Sequence, residues 1–303
     1  MHKSVLLEES IEYLNLKEDS TIIDCTLGYG GHSSNILKNI TKGFLYAFDQ
    51  DKDAIVEADK KLKAINTNYE IINTNFKNLK EEINKREKKV DGILFDLGVS
   101  SPQLDNAERG FSFHKDAPLD MRMNRDDKLT AYEVLNTYSC EDLTNIFYKY
   151  GEEQYSKSIA KGIILSRKSK EINTTLELAE IIKDNVPEKY RKKGHPARKV
   201  FQALRIYVNK ELEVFEIALK DALDLLEING RICVITFHSL EDRICKQIFN
   251  EVSSIPKELK KLPVIPKEYK PLYKVLANIA PSKEEIEANS RARSARLRVI
   301  ERI

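Results

Sequence analysis

Thr21-Ile22-Ile23-Asp24-Cys25-Thr26-Leu27-Gly28-Tyr29-Gly30-Gly31-His32-Ser33 is the stretch whose reading decides the fold. It is a short apolar strand, an acid at the strand's end and a glycine-rich turn. A helical pattern, Ser34 to Ile40, follows. Three glycines in four positions let the backbone approach a ligand closely, because no Cβ intervenes. Strand, glycine turn and helix form the opening unit of a nucleotide-binding α/β domain. A dinucleotide fingerprint needs glycine at the first, third and sixth positions. Counting from Gly28, the sixth is Ser33, so that fingerprint fails. A phosphate-binding Walker loop fails too, since no Lys-Ser/Thr follows.

Outward from this stretch, a short helix is expected over Ser4–Leu14. Further buried strands read as Gly43–Asp49, Tyr69–Asn73 and Val90–Gly98, with helices over Gln50–Ile65 and Lys77–Lys88 between them. This alternation implies right-handed crossovers and a parallel sheet. From about Leu104 to Asn209 no strand is predicted. Helices are expected at Ala131–Asn136, Cys140–Tyr150, Gln154–Lys168, Leu176–Asn185 and Ala197–Tyr207, with Ser139 and Thr174 as N-caps. A helical block between strands of one sheet reads as an insertion. The α/β pattern resumes with helix Lys210–Leu226, a turn at Glu227–Gly230 and strand Arg231–Phe237. Helix Glu241–Val252, a proline- and lysine-rich loop over Ser253–Lys270, and strands Tyr273–Ile279 and Ala295–Ile303 close the chain. The expected organisation is one α/β domain, 1–104 with 210–303, carrying an all-helical domain, 105–209.

The 303 residues are 41% hydrophobic and 32% charged, with net charge +2. Any nucleic-acid surface must therefore be local. Cys25, Cys140, Cys233 and Cys245 share no CxxC spacing, which argues against a disulfide framework or zinc site and for a reducing cytoplasm. The run Val5-Leu6-Leu7-Glu8-Glu9 turns acidic too soon for a signal peptide, and no window is apolar enough to span a membrane. His114 and His195 lack partners at metal-ligand spacing, so no metal is expected.

The strand-end acids and one aromatic sketch a pocket. Asp49 suits a ribose diol, because a carboxylate accepts two hydroxyl hydrogens at once. Phe76 and Asp96 lie along the same carboxyl edge, where they can flank an adenine and hold its amino group. A nucleoside without a required pyrophosphate suggests S-adenosylmethionine. Asp24 reads equally as a ligand contact or as a buried acid that caps backbone amides.

Seven blocks carry a resemblance: His2–Glu9, Gly28–Ser33, Phe95–Leu104, Arg109–Phe113, Pro118–Met123, Phe237–Arg243 and Asn289–Ala295. Together they resemble the RsmH (MraW) family, bacterial 16S ribosomal RNA cytosine-N4 methyltransferases. The resemblance spans the chain. It implies a class I S-adenosylmethionine-dependent methyltransferase, Rossmann-like, with a mostly parallel seven-stranded sheet and an inserted all-helical domain for substrate recognition. It places cofactor contacts on Gly30, Gly31, His32, Asp49, Phe76, Asp96 and Gln103. The implied reaction is methyl transfer to the exocyclic N4 of a cytidine in 16S ribosomal RNA, within the small ribosomal subunit. Homodimerisation is left open.

Such a reaction needs an acceptor for the target amine. Asp96 is the candidate, against a purely cofactor-holding role. Ser101 ranks lower, because Ser101-Pro102-Gln103 only partly echoes the Asp/Asn/Ser-Pro-Pro-aromatic motif of DNA amino-methyltransferases. Phe111 and Phe113 are candidates to stack on an unstacked base, or to pack the hinge of the insertion. Arg122 is a candidate phosphate contact, or an ion-pair partner of Asp120 or Asp126. Arg191, Lys192 and Lys193 belong to the densest basic run, Lys189–Lys199, and Arg291, Arg293, Arg296 and Arg298 form a second patch. His238 either lines the target pocket or bonds a neighbouring acid, while Ser239 and Asp242 resemble a capping box. The competing readings are another DNA or RNA amino-methyltransferase, a nucleotide-dependent oxidoreductase (which Ser33 disfavours) and a non-enzymatic nucleic-acid regulator.

Overall fold

Apolar runs of four to seven residues, each closed by an acid or amide, become the first four strands of one seven-stranded sheet. The structure is a computed structural model and describes residues 4–86, 89–192, 194–255, 259, 266 and 269–303. The chain divides into two compact units, Met1–Gly98 with Leu212–Ile303, and Val99–Glu211.

The first unit holds β1 (Thr21–Asp24), β2 (Phe44–Asp49), β3 (Tyr69–Asn73), β4 (Val90–Asp96), β5 (Leu226–Thr236), β6 (Tyr273–Ile279) and β7 (Arg296–Arg302). They form one sheet in the order β3-β2-β1-β4-β5-β7-β6. Pairing is parallel from β3 through β5, and β7 runs antiparallel to both β5 and β6. The strand order reverses on either side of β1. In open sheets the crevice beyond the carboxyl ends at such a reversal takes the ligand.

Helices α1 (Leu7–Leu14), α2 (Gly31–Asn39), α3 (Lys52–Lys63) and α4 (Leu79–Asn84) accompany the first strands. The strands read as nearly continuous apolar runs because both faces are covered. Ile23, Phe48, Phe95 and Val234 join one core, and Ile22, Leu45, Leu94 and Cys233 join the other. The helix expected over Lys77–Lys88 is shorter, because a 3-10 turn at Phe76–Asn78 comes first.

The second unit contains α5 (Ser101–Asp105), α6 (Ala131–Thr137), α7 (Cys140–Gly151), α8 (Ser156–Ser166), α9 (Thr175–Asp184), α10 (Glu188–Arg191) and α11 (Arg198–Asn209). Ser139 and Thr174 are N-caps, as their positions predict, accepting from the N–H groups of Asp142 and Glu177. The short α5 and α10 have too few turns to leave a period in the sequence. The lower boundary falls at Gly98/Val99 rather than after 104, because Val99 and Leu104 pack into the helical core.

Buried Glu153 ties this unit together. Its Oε1 accepts from the Tyr155 N–H at 2.8 Å, and its Oε2 accepts from the Tyr190 hydroxyl at 2.6 Å. Glu153→Ala should cost about 1–3 kcal/mol in chemical denaturation, because a buried hydroxyl and an amide lose their acceptor. Tyr190→Phe should cost less, and a silent Glu153→Ala would show the anchor to be idle.

The chain returns through α12 (Glu211–Leu225), then β5, α13 (Ser239–Ser253), β6, α14 (Lys283–Ala288) and β7. Glu227–Gly230 was expected to be a turn, but it lies within β5. The register jumps from Val90↔Leu226 to Gly92↔Arg231, so these residues bulge out of the ladder. Asn229 takes φ 66°, which asparagine tolerates better than most residues. Most of the Ser253–Lys270 loop lies outside the described residues. No helix among the described residues is long and apolar enough to cross a membrane.

Candidate active site

Three acids end three neighbouring strands, and the structure gives each a different environment. Asp24 is buried and fully engaged. Its Oδ2 accepts from Ser33 Oγ at 2.6 Å, and its Oδ1 accepts from the Thr26 N–H at 3.0 Å. Burial pushes its pKa up, against the Ser33 hydrogen bond. Asp24 therefore knits the glycine turn to α2, which decides between its two readings. Ser33, the residue that fails the dinucleotide fingerprint, is the clamp on that acid.

Asp49 ends β2 and is partly exposed. Its Oδ2 accepts from the Gly28 N–H at 2.7 Å, and its Oδ1 from the Asp51 N–H at 2.8 Å. Each carboxylate oxygen has a second lone pair, which leaves capacity for a diol. Burial pushes its pKa up to about 6, with the charges of Asp51 and Asp24 adding to the rise. Gly28 has φ 49°, and a Cβ there would meet only the Thr26 carbonyl, 3.8 Å away.

Asp96 ends β4. Its N–H donates to Thr26 Oγ1 at 2.7 Å, which ties β4 to the residue after β1. Its Oδ2 lies 3.4 Å from Nδ1 of His32, the second residue of α2. Its Oδ1 is inaccessible to solvent and has no hydrogen-bond partner. Burial alone lowers the His32 pKa, but the hydrogen bond and charge of Asp96 reverse this and leave it above its ordinary value. Phe76 opens the 3-10 turn after β3 and meets Phe95 edge-on at 5.9 Å. Asn73 Nδ2 donates to the Asp49 carbonyl at 3.1 Å, and Asn75 Nδ2 to Gln50 Oε1 at 2.9 Å.

Two glycines serve the chain itself. Gly30 has φ 76°, and a Cβ there would press on Ala58 of α3 at 3.3 Å. A Cβ on Gly31 would collide with Ser4 Oγ. The N-terminal segment thus lies against the first residue of α2. Gly31→Ala should lower stability by about 1–3 kcal/mol, and Ser4→Ala should recover part of that loss. Additive effects in the double variant would mean that the two positions do not touch.

His238 is the N-cap of α13, with Nδ1 accepting from the Glu241 N–H at 3.4 Å and Nε2 3.0 Å from Glu241 Oε1. Glu241 Oε2 accepts from the Phe237 and His238 N–H groups at 2.8 and 3.3 Å. The capping box is therefore His238 with Glu241, one residue earlier than the Ser239–Asp242 box expected from the sequence. An imidazole reaching its own i+3 amide is a cap that sequence rules rarely list.

In the helical unit, Gln103 is the third residue of α5. Its Oε1 accepts from the Ser100 N–H at 2.9 Å, and its own N–H donates to Ser100 Oγ at 3.4 Å. Ser101 opens that helix and is partly buried. Phe111 is buried in the helical core, with the Arg109 guanidinium 5.8 Å from its ring. Arg109, which the sequence did not single out, is buried and donates through Nη2 to the carbonyls of Arg122 and Met123, both at 3.0 Å. Arg122 is spent on its own loop. It grips Asp120 at 2.6 and 3.0 Å and donates to the carbonyls of Arg125 and Asp127. Phe113 is half-buried and stacks on His195, with ring centres 4.3 Å apart and an 18° interplanar angle. His114 and His195, far apart in sequence, come within 5.7 Å. Arg191 donates to the Val186 carbonyl, and exposed Lys192 pairs with Glu188 at 2.9 Å. Lys193 lies outside the described residues. No group of three or more His, Cys, Asp or Glu among the described residues is placed to hold a metal ion.

A family model described as the MraW methylase family matches residues 1–303. The chain is 52% identical to the ribosomal RNA small subunit methyltransferase H of Exiguobacterium sibiricum, covering 100% of this chain and 98% of that protein. Among solved structures, an rRNA methylase from Streptococcus thermophilus aligns with TM-score 0.47 and 12% identity, over 100% of this chain and 99% of that one. TrmN from Thermus thermophilus aligns with TM-score 0.43 and 11% identity, over 98% and 48%.

Proposed function

The chain belongs to the MraW methylase family, and from that premise we propose that it transfers a methyl group from S-adenosylmethionine to the exocyclic N4 of a cytidine in 16S ribosomal RNA, in the cytoplasm and in the setting of the small ribosomal subunit. One observation carries the reading. Of the acids ending β1, β2 and β4, Asp24 is buried within the glycine turn, while Asp49 and Asp96 are only partly buried. S-adenosylmethionine, when bound, supplies an electrophilic methyl on a sulfonium. The residues suit such a group: Asp49 has lone pairs for a ribose, Phe76 an aromatic edge for a base, and Gly28 no Cβ. Gly30, Gly31 and His32 shape the turn beside them. Gln103, held by its capping box, is assigned to the same cofactor.

The target amine is a poor nucleophile, because its lone pair is conjugated into the ring. Asp96 is assigned to accept a hydrogen bond from that amine, which lets the nitrogen pyramidalise as it attacks. His32, with its raised pKa, fixes the Asp96 carboxylate from the side of α2. Positioning contributes up to about 7–11 kcal/mol in favourable cases. The helical unit is assigned to recognise RNA. Its contacts are Ser101, Phe113 and the basic run containing Arg191, Lys192 and Lys193, with Phe111 and Arg122 shaping the loop that carries Phe113. The experiment is mass mapping of methylcytidine in small-subunit RNA from cells with and without the gene. An unchanged map would end this reading.

A further inference from the structure

We infer that the segment Ser290–Arg296 is an RNA-backbone contact on the methyltransferase unit itself, with Arg291, Arg293 and Arg296 as its phosphate ligands. The inference rests on the function proposed above and adds a surface to it.

The register places this segment beside the chemistry. Asp96 pairs with Ile235 of β5, and Thr236, the next residue of β5, pairs with Arg296 of β7. Because β7 runs antiparallel to β5, it begins at the carboxyl edge where the acids end. The 3-10 turn Ser290–Ser294 leads into it. Ala292 and Ala295 are buried in the core that contains Leu6 and Leu27, the residue before Gly28. The turn is also held locally. Asn289 Oδ1 accepts from the Arg291 N–H at 3.2 Å, and the Ala295 N–H donates to the Ala292 carbonyl at 2.8 Å. Nearby, the Leu6 N–H donates to Glu285 Oε1 at 2.8 Å, which joins α14 to the N-terminal segment that crosses Gly31.

The chemistry of the segment points to one partner class. Its exposed residues are Ser290, Arg291, Arg293, Ser294 and Arg296, and its two alanines are buried. With no apolar anchor it does not resemble the core of a protein interface. Guanidinium groups on a short rigid turn match phosphate oxygens, which they bind bidentately. Arg296 donates through Nη1 to Asn278 Oδ1 at 3.2 Å, and the fourth arginine of the patch makes an ion pair. Arg298 is half-buried and grips Asp242 at 2.7 and 2.9 Å, and that hydrogen bond holds the Asp242 pKa below its usual range. Arg298 thereby neutralises Asp242. Arg243 and Lys246 on α13 add exposed positive charge, and Glu284 and Glu287 on α14 are the exposed acids of the neighbouring helix.

The test is binding of protein-free 16S ribosomal RNA to the full chain across salt concentrations, with calorimetric S-adenosylmethionine affinity measured in parallel. For the triple variant Arg291→Ser, Arg293→Ser and Arg296→Ser, the slope of log affinity against log salt should flatten by about 2, at ~0.7 per lost contact, and affinity at 0.1 M salt should fall roughly 100-fold. Cofactor affinity should stay unchanged, and replacing all three by lysine should restore most of the slope. An unchanged slope overturns the inference. So does a parallel loss of cofactor affinity, which would mark the arginines as structural. Absence of methyl transfer by the wild type, with the salt slope still dependent on these arginines, would instead remove the proposed reaction and leave the RNA surface standing.

Discussion

Asp49→Asn is expected to weaken S-adenosylmethionine binding about 10–150-fold, because charge-assisted hydrogen bonds are worth about 1.5–3 kcal/mol. It should also remove the pH dependence that Asp49 gives to binding. The sign follows from the site. Burial raises the free carboxyl to about 6, so below that pH much of it is protonated. Ribose hydroxyls donate to the carboxylate and therefore favour the ionised form, so binding must lower this pKa and release a proton. Wild-type affinity should rise between pH 5 and 6, by at most tenfold per unit, and level off above about 6. Asn lacks that titration, so its profile should lose the rise between pH 5 and 6 that Asp49 contributes. Calorimetry at pH 5, 6 and 7 measures both effects. A wild-type curve that is flat over this range would remove Asp49 from the ribose.

The second large effect is expected at Asp96. Asp96→Asn preserves shape but loses the strong acceptor. Methyl transfer should fall about 10²–10⁴-fold, the range for a positioned proton acceptor, while cofactor affinity changes only several-fold. The same change takes from His32 the charge that raises its pKa, so the imidazole should titrate lower in the variant, which a histidine NMR titration reads. Equal losses of rate and affinity would make Asp96 a cofactor holder and leave the amine without an acceptor.

These two acids were legible in the sequence because a strand-end carboxylate follows directly from a short apolar run. So were the parallel sheet, the helical insertion and the Ser139 and Thr174 caps, each set by a pattern within a dozen residues. Other features lie between segments that sequence order keeps apart. Nothing local links Ser4 to Gly31, Glu153 to Tyr190, or His114 to His195. The bulge at Glu227–Gly230 was misread because asparagine and glycine mark a turn wherever they occur, and only the pairing with β4 shows that the strand runs through them. The Arg122–Asp120 pair was one of the two readings the sequence offered, whereas Arg298 looked like a free cation because its acid, Asp242, lies far away in sequence. The resemblance supplied the residue-level cofactor set, and the structure added that Gly30 and Gly31 are small partly for the chain's own sake.

The insertion between β4 and β5 also sets a timetable. β4 ends at Asp96, and its neighbour β5 begins at Leu226, about 130 residues later. At ~5–20 residues per second a ribosome takes roughly 7–26 s to make that interval. Throughout it, β4 can pair with β1 on one side but leaves an apolar edge unpaired on the other, which is the arrangement that invites misassembly between nascent chains. The helical unit is made in the same interval, and its own core is complete in sequence before β5 emerges. A slow codon stretch within it should therefore cost soluble yield more than the same stretch placed after β7.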